Sequence, residues 1–166
     1  LLTHEHKTRS DDQWMYLPSR KRIKRISSDN KSGSFMGSEF SYEDLGSNEV
    51  EKYRYKYLRD EKLNGVACFV VERYPVERSS GYSKIVSWVR KDNYQNFRFD
   101  FYDRKRELLK TLYYKKLKKF KGKYWRALRM EMENVQTGKS TTIDFIGMRL
   151  GTGLKKSSFT KRALER

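Results

Sequence analysis

The chain is 166 residues long, enough for one domain with a sizeable apolar core and short for two. Its 38 Lys and Arg against 21 Asp and Glu leave a formal charge of +17, so the surface attracts anions from a distance; nucleic acid, phospholipid head groups and acidic proteins all qualify, and composition does not rank them. No run approaches the roughly 20 apolar residues of a membrane-spanning helix, and the single cysteine, Cys68, excludes an internal disulfide and reads as a buried thiol in an apolar strand.

In chain order, alternation begins at Leu2 with neither an initiator Met nor a signal peptide ahead of it, so a preceding segment is expected. Residues 11–45 then combine a short apolar strand, a basic strand at 20–25 and a Gly/Ser loop carrying aromatics, and 45–51 reads as a loop or a short helix. From about Tyr53 the pattern is that of an antiparallel meander. Tyr53, Tyr55 and Tyr57 alternate with basic residues toward the Asn64-Gly65 pair, a strong hairpin-turn signal, and the return strand 66–74 is stopped by Pro75. Strand 83–90 pairs with 96–102, strand 108–116 follows a charged turn, and 123–133 forms a hairpin with 140–150 around Gly138. Beyond Gly153, Ser157 or Ser158 is expected to cap a short helix through Arg166.

The faces of this sheet matter more than its strand count. Phe97, Phe99 and Phe101 are expected on one face, with Arg98 and Asp100 on the other, and Leu128, Met130 and Met132 repeat the pattern. Ile143 and Phe145 continue it in the last strand, where Ile146 and Met148 make the second face apolar too. Such a sheet is either sandwiched or curved around something.

Motifs for chemistry are weak. His4 and His6 share one side of a strand, but no Cys, Asp or Glu cluster with zinc-site spacing joins them, so no metal site is assigned. Gly138-Lys139-Ser140 lacks the earlier glycine of a phosphate loop, because Glu133 stands there, and it lies between strands rather than opening a helix. No nucleophile elbow is present, and no catalytic residue or cofactor is assigned. The basic run 104–126, interleaved with Tyr113, Tyr114, Phe120, Tyr124 and Trp125, imitates single-stranded nucleic-acid binders, yet the RNA-recognition signature is absent. Nucleic acid is therefore disfavoured against a solvated rim or an anionic membrane surface, to which each basic group contributes about 1 kcal/mol.

The loop 32–44 sets Phe35, Met36 and Phe40 among two glycines and four serines, with Tyr42 following. It reads equally as a gate over an apolar cavity or as a fixed plug closing one end of a barrel.

On Trp14, Tyr16, Leu17, Pro18, Arg22, Arg25, Ile26, Gly33, Ser34, Phe35, Met36, Gly37, Ser38, Phe40, Tyr42, Glu43 and Asp44, the stretch resembles the signature region of the outer membrane lipoprotein-sorting proteins, relatives of the LolA and LolB carriers. The resemblance implies a mainly β (α+β) fold: a curved antiparallel sheet, an incomplete barrel, with covering helices. It implies one LolA-like domain over residues 1–166 whose N-terminal strand and helix lie outside the sequence. It further implies a Gram-negative periplasmic carrier of lipid or lipoprotein acyl chains, without a covalent step or cofactor, some relatives serving inner-membrane exporters of the resistance-nodulation-division type. The candidate ligand wall is Phe97, Phe99, Phe101, Leu128, Met130, Met132, Ile143 and Phe145. The alternative is a non-catalytic envelope adaptor that binds an exporter through its basic rim and has a filled interior.

Overall fold

The computed structural model describes residues 1–7, 9–46 and 48–165. Among the described residues ten strands form two antiparallel sheets. The small sheet has the order β1 (Leu2–His4), β2 (Asp12–Leu17), β3 (Arg22–Ile26). The large one is an uninterrupted seven-stranded meander: β4 (Tyr53–Leu63), β5 (Val66–Pro75), β6 (Lys84–Arg90), β7 (Asn96–Tyr102), β8 (Leu108–Phe120), β9 (Tyr124–Asn134) and β10 (Ser140–Asp144). Every neighbour in the large sheet is also the next strand in sequence, so turn chemistry alone sets most of the topology. At the β4–β5 turn both Asn64 (φ 51°) and Gly65 (φ 79°) take left-handed backbone, which matches the right-handed twist of the strands they join.

The β8–β9 hairpin outruns its expected end at residue 116. Lys116 takes φ 53° and drops out of the pairing, after which Leu117 resumes opposite Ala127 and the ladder continues to Phe120 opposite Tyr124. Conversely, β10 ends at Asp144 rather than at residue 150; Ile146 is 92% exposed and Gly147 turns the chain with φ 67°.

Two further expectations are corrected. No α-helix occurs among the described residues, and the covering role expected of helices falls to residues 31–46. The C-terminal segment forms two short 3-10 turns, Lys156–Phe159 and Lys161–Glu165, the first beginning after Lys155 with no serine cap; the expected last residue, Arg166, lies outside the described residues. Of the segment 45–51, expected as loop or helix, Val50 opens a 3-10 turn (Val50–Lys52), and Ser47 lies outside the described residues.

The large sheet carries an apolar cluster on each face. On the face covered by residues 31–46, here the inner face, Phe40, Tyr82, Ile85, Phe99, Phe101, Leu112 and Met132 are buried together. On the outer face Cys68, Val70, Val86 and Trp88 are buried beneath longer side chains; the Arg98 guanidinium lies 4.8 Å from the Trp88 ring centroid. Cys68 is thus a free, buried thiol, and burial pushes its titration up.

Candidate functional site

Cross-strand register lays out the inner face in rows. One row runs Tyr55, Arg73, Ile85, Phe101, Lys110, Asn134; the next runs Tyr57, Val71, Ser87, Phe99, Leu112, Met132, Thr141. Tyr114, Met130 and Ile143 form a third. The expected wall residues Phe99, Phe101, Met130, Met132 and Ile143 therefore meet in one cluster. Phe97 does not join them. Between the pairs Trp88 with Arg98 and Val89 with Asn96, β7 advances two residues for one of β6; the bulge leaves Phe97 unpaired and packs it in the outer cluster. Leu128 and Phe145 lie outside the inner cluster, linked by the Phe145 N–H donating to the Leu128 carbonyl at 2.9 Å.

The loop covers this face with one side chain. Phe40 is 1% exposed and packs into the inner cluster, whereas Met36, at the loop tip with φ 51°, is 70% exposed. Phe35 stays half-buried, edge-on to Tyr42 at 5.6 Å between centroids. The loop holds its shape through the Phe35 N–H to the Phe40 carbonyl (2.7 Å) and the Ser34 hydroxyl to the Ser38 carbonyl (2.6 Å).

Polar contacts fasten the loop to the sheet. The Asp44 carboxylate accepts from the Lys110 ammonium, from the Tyr82 hydroxyl and from the Ser41 amide, at 2.6, 2.6 and 2.7 Å. Lys110 also donates to the Glu39 carbonyl at 3.0 Å, and the Asn134 amide donates to the Glu39 carboxylate at 2.7 Å. Glu43 accepts from the Ser80 hydroxyl and, at 2.9 Å, from the Gly81 amide; burial, its largest influence, raises its carboxyl above the ordinary range. Gly81 permits this closeness, because a Cβ there would stand 2.8 Å from that of Ser32. Between cover and sheet remains a cavity of about 20 Å³ lined by Tyr53, Arg73, Tyr114 and neighbours, room for one water and not for an acyl chain. Burial pushes the Tyr53 hydroxyl up to about 12.

Sequence reasoning missed Arg73, a buried cation on the inner face of β5. Its guanidinium lies 4.2 Å from the Phe99 centroid and 5.0 Å from that of Tyr53, and its one polar partner among the described residues is the Asn48 side-chain oxygen at 3.4 Å. The signal was available: Arg73 shares the parity of Phe69 and Val71 in β5.

Elsewhere, the two histidines are engaged separately. The ring Nε2 of His4 lies 2.9 Å from the Phe159 carbonyl, and that of His6 lies 3.1 Å from the Asp12 carboxylate. No group of three or more metal-ligating side chains occurs among the described residues. In the basic run Lys115 pairs with Glu131, and beyond it Arg129 pairs with Asp144, while at the hairpin tip Lys118, Lys119 and Lys123 lie 5.4 to 5.8 Å from the ring centroids of Phe120, Trp125 and Tyr124.

Known structures share this backbone arrangement. A domain from Vibrio parahaemolyticus designated an outer membrane lipoprotein-sorting protein superposes with a TM-score of 0.96 at 53% identity, covering 99% of this chain and 70% of that one. The chain belongs to the outer membrane lipoprotein-sorting protein family. A DUF1329 family protein from Desulfovibrio piger matches at 35% identity and a TM-score of 0.91, covering 98% of this chain and 68% of that one. A LolA superfamily protein from Nitrosomonas europaea matches at 27% identity and 0.72, covering 92% and 68% respectively. A family model described as "-like: Uncharacterized protein" matches residues 1–166. No curated protein matches. The lipoprotein-sorting family thus shares the mainly antiparallel β fold described above.

Proposed function

We propose that this lipoprotein-sorting family member is a periplasmic carrier that holds an acyl chain of a lipid or lipoprotein against the inner face of its sheet. On this reading the sheet is one wall of an incomplete barrel, and the chain is passed between envelope membranes, or to or from an exporter, without a covalent step. The observation that carries the reading is Phe40: a single aromatic side chain, borne on a Gly/Ser loop, fills the apolar face at the place where a chain would lie. It is buried in one cluster with Phe99, Phe101, Leu112 and Met132. Burial of each methylene contributes about 0.8 kcal/mol, so a long acyl chain offers on the order of 10 kcal/mol gross against the loss of the loop's contacts. Met130 and Met132 suit a wall that accepts chains of variable shape. The basic hairpin tip suits transient contact with an anionic membrane during transfer.

The filled inner face also favours a second reading, an adaptor that carries no lipid and binds an exporter through the basic β8–β9 rim. Native mass spectrometry of the full-length protein, followed by organic extraction, separates the two. A near-stoichiometric phospholipid or acylated peptide is expected of the carrier; repeatedly empty protein, released from a partner by charge reversal at Lys116, Lys118 and Lys119, belongs to the adaptor.

A further inference from the structure

The inner face buries two cations and treats them differently. Lys110 is neutralised by Asp44 at 2.6 Å, both side chains being almost wholly enclosed. Arg73 is 8% exposed, and no carboxylate among the described residues pairs with it. Among the described residues its buried Nε has no hydrogen-bond partner, and only Nη1 reaches a polar group, the Asn48 oxygen at 3.4 Å. Two carboxylates line the same cavity, yet both are committed elsewhere: Glu43 to Ser80 and Gly81, Asp44 to Lys110, Tyr82 and Ser41. Arginine does not shed its proton in proteins, and a buried charge is costly unless it is paired and hydrogen-bonded. The Phe99 and Tyr53 rings offset part of that cost but accept none of the in-plane N–H donors. The electrostatic surroundings agree: burial is the largest influence on Arg73, it disfavours the charged form, and the groups opposing it are the tyrosines 53, 114 and 55.

We infer that Arg73 is an oxyanion site, taking the phosphate or carboxylate group of an amphiphile whose chain lies along the Phe99, Leu112, Met132 row. The inference rests on the carrier reading and narrows its ligand to anionic amphiphiles. A guanidinium presents parallel N–H donors that match two oxygens of such a group, and here Nε, one half of that fork, is the unsatisfied atom. The location fits an amphiphile. Arg73 stands opposite Tyr55 of β4, the edge strand of the large sheet, and Tyr55 and Tyr57 there are exposed, so a head group at Arg73 lies one strand from the solvated edge while its chain runs inward along the apolar row.

The test is calorimetric titration of the full-length protein with three probes: dodecyl phosphate, uncharged dodecanol and inorganic phosphate. The wild-type protein is expected to prefer dodecyl phosphate to dodecanol at least tenfold. In Arg73→Met that preference collapses to near parity, and Arg73→Lys, which keeps the charge but loses the fork, falls between. Unliganded Arg73→Met should melt at the same temperature as the wild type or higher, since an unpaired buried charge has been removed; a clear fall would show that Arg73 is already paired within the protein and would overturn the inference. An unchanged preference in Arg73→Met would overturn it while leaving the carrier intact. Binding of neither dodecyl probe would refute the carrier reading, and Arg73-dependent binding of inorganic phosphate alone would then support an oxyanion site for the free ion.

Discussion

Asp44 and Lys110 join the covering loop to the sheet, and cutting this link has a calculable effect. Their side chains are 1% and 5% exposed, so neither charge can be rehydrated without moving the loop. Asp44→Asn keeps the shape and the oxygen that accepts from Tyr82 but strands the Lys110 ammonium. Breaking a buried pair from one side costs about 3–5 kcal/mol, and the near-isosteric amide belongs at about 3. With a urea dependence of about 2 kcal/mol per molar, the unfolding midpoint should fall by roughly 1.5 M, a large share of a typical stability of about 5–15 kcal/mol. Adding Lys110→Met to Asp44→Asn removes the stranded charge, so the double variant should lose less than the two single losses add up to, with a coupling of about 2 kcal/mol. Urea titration by circular dichroism of the four proteins reads this directly. Single-variant losses below about 1 kcal/mol, or strict additivity, would show that the pair does not hold the cover down.

Phe99→Ala should destabilise the protein by about 3–5 kcal/mol and weaken acyl-chain binding, because Phe99 is buried in the inner cluster. Phe97→Ala, on the half-buried outer side, should cost less and leave chain binding within twofold; equal binding losses in the two would contradict the bulge. Burial raises the Glu43 carboxyl, with Asp44 and Glu77 adding repulsion, so the folded state binds the Glu43 proton more tightly than the unfolded chain does. The protein therefore loses stability from this group as pH rises through the window above the ordinary value of 4.5, and none is lost below it. Glu43→Gln should consequently gain on the wild type between pH 4 and pH 8 in urea midpoints, and a constant difference across that range would remove the effect.

The meander was legible because its signals are local: Asn64-Gly65 sets one turn, and strict alternation places Phe99 with Phe101 and Met130 with Met132. Alternation failed at Phe97, where a bulge adds one residue to β7 and reverses parity without any marking glycine. The left-handed Lys116 escaped notice for the same reason, and so did the early end of β10, whose apolar Phe145 and Ile146 look like strand residues but are exposed. The cover depends on contacts between residues far apart in sequence, Asp44 with Lys110 and Glu39 with Asn134, which no local pattern encodes. Arg73 is not legible in the sequence because its meaning lies in the lack of a carboxylate partner among the described residues, visible only once Glu43 and Asp44 are seen to be bonded elsewhere.

The central claim is that an acyl chain occupies the inner face in place of Phe40. A phospholipid bearing a diazirine midway along one acyl chain, photolysed with the full-length protein and mapped by peptide mass spectrometry, tests it most directly. The account predicts labels on the peptides containing Phe99 and Phe101, Leu112, and Met130 and Met132, competed away by unlabelled lipid. Labels confined to the outer cluster around Val70, Val86 and Trp88, or to the basic hairpin tip alone, would contradict it.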